Sequence, residues 1–255
     1  MIEKKGKLVE ILDCKKVIVA GDIHGDLEAF ENVVRVFEDG INGHKNVCLI
    51  FLGDYADRGD FGVEVIESLK ILMKKHPGSI IALKGNHEDY DDNGEPKFYP
   101  CDLKYEVESK RGNWIEYFER NLKDLFSSLP IAAKYNSYLF VHGGISSKIK
   151  NWEDLINPSA SIEEDILWSD PFEGYGEYPN PRGAGVLFGK DITKRVLSNL
   201  KVEKVIRSHQ PKKALKGIFR EHDEKIITIS STRVYGGSAF ILEISGKNMK
   251  TKRIL

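Results

Sequence analysis

Apolar residues along this chain alternate between two spacings. "KKVIVAGD" (15–22) is a short apolar run that ends in a Gly-Asp turn. "LEAFENVVRVFED" (27–39) then places Phe30, Val33, Val34 and Phe37 at the three- and four-residue spacing of a helix with one buried face. "VCLIFLGD" (47–54) repeats the strand and turn. "VEVIESLKILMKKHPG" (63–78) repeats the helix, with Val63, Ile66, Leu69, Leu72 and Met73 inward before a Pro-Gly stop. "SIIALKGNHED" (79–89) is a third strand with a polar end. Two successive strand–helix–strand units predict a mostly parallel sheet covered on both faces.

Beyond residue 110 the pattern changes. "NWIEYFERNLKDLFSSLP" predicts a helix closed by Pro130, and "IAAKYNSYLFVHGG" a hairpin turning at Asn136-Ser137. "EKVIRSHQP", "GIFREH", "KIITISS" and "AFILEI" are further short strands. Residues 170–185, "DPFEGYGEYPNPRGAG", hold seven Gly or Pro and predict a long structured loop. The expected fold is α/β: two packed mixed β-sheets flanked by helices, in one domain over 1–255.

Composition narrows the class. The 255 residues are 41% apolar and 30% charged, enough for a substantial core. Lys and Arg (38) nearly balance Asp and Glu (39), which leaves no electrostatic footprint for nucleic acid or an anionic membrane. No apolar stretch approaches the ~18 residues of a membrane span, so the expected location is cytoplasmic. Cys14, Cys48 and Cys101 are odd in number and lack Cys-x-x-Cys spacing, which argues against a disulfide framework or a thiolate zinc site; Cys48 reads as a small core residue.

The chemistry gathers at strand ends. "GDIHGD", "GDYADRGD" and "GNHED" close the first three strands, and ligands of open α/β sheets bind beyond such carboxyl ends. His24, His87, His142 and His209 all end predicted strands, whereas His44, His76 and His222 sit in contexts that predict surface positions. Closely spaced Asp54, Asp57 and Asp60 repel one another unless cations lie among them. Asp, His and Asn donors without thiolate suit Mn²⁺, Fe, Zn²⁺ or Co²⁺ in a catalytic site. Singly, each residue reads as a turn, a cap or a hydrogen-bonded histidine. Their number and order, "GDIHG", "GDYADRG", "GNHE", "HGG", "RGAG" and "RSHQ", outweigh that reading.

That ordered set resembles the phosphoprotein phosphatase family of serine/threonine phosphatases, within the calcineurin-like metallophosphoesterases, from about residue 17 to about 244. "LWSDP", "NPRGAGVLFG" and "ITISSTRVYGG" extend the likeness. The resemblance implies two divalent metal ions, manganese foremost. Asp22 and His24 would hold the first, Asp54 would bridge, and Asn86, His142 and His209 would hold the second. It further implies hydrolysis of phosphoserine and phosphothreonine in proteins by in-line attack of a hydroxide shared by the ions. Arg58 and Arg182 would clamp the phosphate, His87 would act as general acid oriented by Asp57, and Tyr235 would line the site. Diadenosine tetraphosphate or another nucleotide is the alternative substrate for the same centre. A phosphoprotein-binding module without turnover is the alternative of another class, disfavoured because none of these residues is missing.

Two departures stand out. After "GNHE" the family's larger members continue with basic and aromatic residues, whereas this chain has the acidic loop 88–95. Asp89, Asp91, Asn93 and Gly94 mimic a calcium loop, but its twelfth position is Pro100 in place of Glu, so a solvated acidic loop is expected. If it borders the cleft, it would favour basic peptides. The chain also stops soon after its last strand, like compact prokaryotic-type members, which predicts no regulatory subunits. Asp60 is expected to cap the helix that follows it.

Overall fold

Val17 to Ala20 and Val47 to Phe51 are buried at every position, a burial only strands covered on both faces achieve. The computed structural model describes residues 2–43 and 46–255; His44 lies outside them. Its strands are β1 (Ile2–Lys5), β2 (Leu8–Ile11), β3 (Lys16–Ala20), β4 (Val47–Phe51), β5 (Ile80–Ala82), β6 (Ala132–Tyr135), β7 (Tyr138–Val141) and β8 (Asp170–Pro171). They continue with β9 (Glu177–Pro179), β10 (Val186–Phe188), β11 (Lys204–Arg207), β12 (Phe219–Glu221), β13 (Ile226–Thr228), β14 (Phe240–Ser245) and β15 (Asn248–Arg253). The helices are α1 (Leu27–Gly43), α2 (Gly62–Lys75), α3 (Leu103–Lys110), α4 (Trp114–Tyr117), α5 (Lys123–Ser128), α6 (Glu153–Ile156), α7 (Ala160–Trp168) and α8 (Lys190–Leu200).

One sheet runs β15-β14-β3-β4-β5, with β3, β4 and β5 parallel. The other runs β1-β2-β6-β7-β11-β13-β12, with β7, β11 and β13 parallel. Successive side chains of a strand point to opposite faces, and the cores follow that rule. Val17, Val19, Cys48 and Ile50 meet Phe140, Ile206 and Ile227 between the sheets. Ile18, Leu49 and Phe51 face α1 and α2, and Leu139, Val141 and Val205 face α7 and α8. The layers are therefore helix, sheet, sheet, helix.

The structure departs from the sequence reading in particulars. The loop 170–185 contributes β8 and β9 to a third, three-stranded sheet, ordered β8-β10-β9. The helix expected up to Pro130 is broken by a π-helical turn at Phe118–Leu122 between α4 and α5. His222 is buried, not on the surface: its Nδ1 lies 2.7 Å from Thr193 Oγ1 and its Nε2 2.8 Å from the Phe172 carbonyl. His76 is half-buried, edge-on to Phe37.

Cys14 and Cys48 form a disulfide, contrary to expectation, with Cα atoms 6.2 Å apart. Parallel pairing of β3 with β4, Val17 opposite Cys48, brings together two residues 34 apart in the chain, which spacing alone conceals. Asp60 does not cap α2. Glu106 of α3 does, accepting the Gly62 and Val63 amides, both at 3.0 Å.

Candidate active site

Every predicted strand-end motif finishes at the same edge of the molecule. Asp22 follows β3, Asp54 follows β4 and Asn86 follows β5, all in one sheet; His142 follows β7 and His209 follows β11 in the other. An isolated bridge pairs Asp22 with Ser230, and the Ser208 amide donates to the His142 carbonyl at 2.9 Å. The site thus lies across the seam between the two sheets.

The local backbone is bent to reach it. His24, Asp54, Asp57, Arg58 and His209 all adopt positive φ, between 48° and 72°. A residue with a side chain takes that conformation at a cost of about 1 kcal/mol or more, and such strain collects at functional sites. A side chain on Gly85 would come within 2.3 Å of Asp54 Oδ1, so only glycine lets the second and third turns touch. Glu88 holds them in register. Its carboxylate accepts the amides of Asp54, Tyr55 and Gly85 at 2.8–2.9 Å. Burial and the neighbouring Asp54 push its pKa up, to about 7.

Two groups of ligand-capable atoms converge: His24, Asp54 and His87, and Asp54, His142 and His209, each group within 4.8 Å. Asp54 belongs to both. Its Oδ2 lies 3.4 Å from His24 Nε2, and its Oδ1 lies 3.3 Å from His142 Nε2. Asn86 Oδ1 and His209 Nδ1 stand 3.0 and 3.1 Å from that same His142 nitrogen. The Nδ1 atoms of His24 and His142 each sit 2.9 Å from a main-chain carbonyl, of Ala56 and Leu52. With Nδ1–H donating, Nε2 presents its lone pair to the centre. Asp22 accepts the Ser208 hydroxyl and the His209 amide on Oδ1, while its Oδ2 is buried without a partner.

Buried carboxylates and imidazoles with orphaned atoms fit divalent cations. Oxygen and imidazole donors, shared through one carboxylate, are the donor set of a two-metal centre. Electrostatics agree. Burial opposes ionisation of Asp54, yet His142, His87 and His24 around it hold its carboxyl well below the usual range. Burial lowers the pKa of His24 and His209, which favours the neutral imidazole that a metal ligand needs. At His142 burial is outweighed by Asp54, which raises the pKa; the positive charge drawn there is one a cation would supply instead.

His87 differs in kind. Its Nδ1 lies 2.6 Å from Asp57 Oδ2, and although burial resists, Asp54 and Asp57 raise its pKa. Asp57 Oδ1 in turn accepts the Asp102 and Leu103 amides at the start of α3, at 2.5 and 2.7 Å. That ring is therefore fixed by Asp57 and its charged form favoured, while it also stands in the first group of ligand-capable atoms.

A cavity of about 170 Å³ opens above the cluster. His24, Asp54, Arg58, Asn86, His87, Arg182, His209 and Tyr235 line it, whereas Asp22, Asp57 and His142 are fully buried and do not reach its surface. Arg58 is held by Asp102 Oδ2 and the Pro100 carbonyl. Arg182 Nε donates to Asp170 Oδ2 at 2.9 Å, and Asp170 Oδ1 takes Nη2 of the fully buried Arg207, also at 2.9 Å. Tyr235 meets the His24 ring edge-on at 5.5 Å; burial, with Asp22 beside it, pushes its phenol up to about 12.

Sequence reasoning missed three walls, Phe98, Tyr99 and Trp168. Tyr99 is 92% exposed at the lip, a position no apolar periodicity marks. The acidic loop does not line the cavity: Asp89 pairs with Lys84 and Lys97, and Asp91 Oδ1 accepts the Asn93 and Glu95 amides of its own turn. No helix among the described residues is long and apolar enough to cross a membrane.

Comparison with known proteins agrees with this geometry. The calcineurin-like phosphoesterase family profile matches residues 15–213. The serine/threonine-protein phosphatase 6 catalytic subunit of Caenorhabditis elegans is 34% identical over 251 residues, covering 92% of this chain and 71% of that protein. Serine/threonine-protein phosphatase 5 of Arabidopsis thaliana is 34% identical over 250 residues, but the chain spans only 44% of its length. A solved protein serine/threonine phosphatase from Saccharomyces cerevisiae, similar to human phosphatase PP5, superposes with a TM-score of 0.76 at 26% identity, covering 98% of this chain and 84% of its own. The chain belongs to the calcineurin-like phosphoesterases and, within them, to the serine/threonine protein phosphatase family.

Proposed function

We propose that the chain hydrolyses phosphoserine and phosphothreonine in proteins, using two divalent ions, manganese foremost. Asp22 and His24 would hold one ion, Asn86, His142 and His209 the other, and Asp54 both. Ions bound there supply Lewis acidity toward the phosphoryl group and neutralise the carboxylates. The remaining work falls to side chains. Arg58 and Arg182 flank the cavity and neutralise non-bridging phosphate oxygens, a contact that accelerates the reaction where it strengthens in the transition state. His87, kept protonated by Asp57, delivers its proton to the leaving oxygen. Tyr235 closes the side of the cavity next to His24.

The observation that carries this reading is the cavity itself, about 170 Å³ of polar space with two guanidinium-bearing walls beside a shared-carboxylate cluster. The test is kcat/KM, after chelation and return of Mn²⁺, for a phosphothreonine peptide beside diadenosine tetraphosphate. A strong preference for the peptide supports the proposal. Preference for the dinucleotide keeps the site and overturns the substrate.

A further inference from the structure

Tyr235 sits in the segment 232–237, within the connection from β13 of the second sheet to β14 of the first. Most of its own amide bonds stay local: Val234 donates to Thr232 Oγ1 and Gly236 to the Arg233 carbonyl. Arg233 reaches outward. Its amide and its Nε donate to Asp26 Oδ2 at 2.9 and 3.0 Å, its Nη2 to Asp26 Oδ1 at 2.7 Å, and its Nη1 lies 2.9 Å from Glu28 Oε2.

Asp26 is a firm anchor. It is 8% exposed, and its Oδ1 also accepts the Ala29 amide in the first turn of α1. It stands two residues after His24, so the clamp joins the Tyr235 segment to a turn of the proposed metal site. The turn bearing Arg58 is wedged between them: a side chain on Gly59 would come within 2.3 Å of the His24 carbonyl and 3.1 Å of Val234 Cγ2. Arg58 Nη1 is held by Asp102 and the Pro100 carbonyl; Arg58 and Tyr235 line the same cavity, and Val234, next to Tyr235, lies against the turn that bears Arg58, so the Tyr235 wall depends on the segment staying in place.

We propose that Arg233 is a positioning residue for phosphate: its forked pair with Asp26 fixes the segment so that Tyr235 keeps Arg58 aimed into the cavity. This rests on the reading of Arg58 as a phosphate contact. The Arg233 side chain is 37% exposed while Asp26 is buried, so loss of the pair costs some stability, and its catalytic effect is separated from that by assaying well below Tm. The planar fork also distinguishes Arg from Lys, which carries the charge but cannot grip both oxygens in parallel.

The experiment is a double-mutant cycle on metal-loaded enzyme with Arg233→Ala, Tyr235→Phe and the pair, read on a phosphothreonine peptide and on p-nitrophenyl phosphate, with inorganic phosphate as inhibitor. Arg233→Ala is expected to lower kcat/KM about tenfold or more and to weaken phosphate inhibition in parallel, with metal content unchanged and Tm lowered but still well above the assay temperature. In the Tyr235→Phe background the same change should cost little, because the contact it secures is already gone. Asp26→Asn, approached from the other partner, should reproduce the loss, and Arg233→Lys should recover only part of it. Equal fold losses in both backgrounds, or unchanged phosphate inhibition in Arg233→Ala, overturn the proposal. The cycle is also read on the aryl phosphate, so a wild type that ignores the peptide counts against the protein substrate and not against the clamp.

Discussion

His87 and Asp54 are both buried, both polar and close together, yet the structure gives them opposite chemistry. His87 has one ring nitrogen committed to Asp57, whereas Asp54 turns both oxygens toward imidazoles. His87→Asn should therefore lower kcat by about 10²–10⁴, the usual range for loss of a general acid, while both ions stay bound by elemental analysis. Asp54→Asn should lose metal and activity together, because the shared carboxylate serves both groups; full occupancy in that variant would contradict bridging. The sequence made these residues visible because each stands at the end of an apolar run, one or two residues after a glycine. It did not reveal Glu88, whose carboxylate ties three amides of two turns. Its place inside the "GNHED" motif gave no sign that it acts on backbone rather than on ligand.

Between neighbouring secondary structures, side chains from one segment complete the ends of another. Glu106 caps α2 from α3, so Glu106→Ala should cost about 1–2 kcal/mol in urea unfolding and leave kcat near wild type. Asp170 of β8 is more consequential, since it lies between Arg182 and the fully buried Arg207 of β11. Asp170→Ala leaves the Arg207 charge without its carboxylate and should destabilise by about 3–5 kcal/mol. It should also raise KM by freeing Arg182, and an unchanged KM would show that Arg182 is held by other means. The helices α1 and α2 were legible because their apolar residues recur at 3.6-residue spacing along one face. The strands β8 and β9 were not. Two or three residues amid Gly and Pro carry no period, and their pairing with β10 comes from contacts distant in the chain.

For the molecule entire, the order of layers was legible. β3, β4 and β5 read as apolar runs too continuous for one covered face, which requires protein on both sides. What composition could not convey is that Cys14 and Cys48 meet where β3 and β4 begin. The proposed metal ligands come from both sheets, so cations bound to them would favour the folded state by mass action. Chelation should lower Tm by several degrees, and Mn²⁺ should restore it; a Tm indifferent to chelation would argue against ligands drawn from both sheets. Because Asp54 belongs to one sheet and His142 to the other, the spacing of the catalytic centre is set by the thickness of the hydrocarbon layer between them. Ile50, Phe140 and Ile206 never meet a substrate, yet shaving a methylene from any of them should move the two halves of the centre relative to each other. On the proposed two-ion reading, metal selectivity would be adjustable from the oily interior, without touching a single ligand.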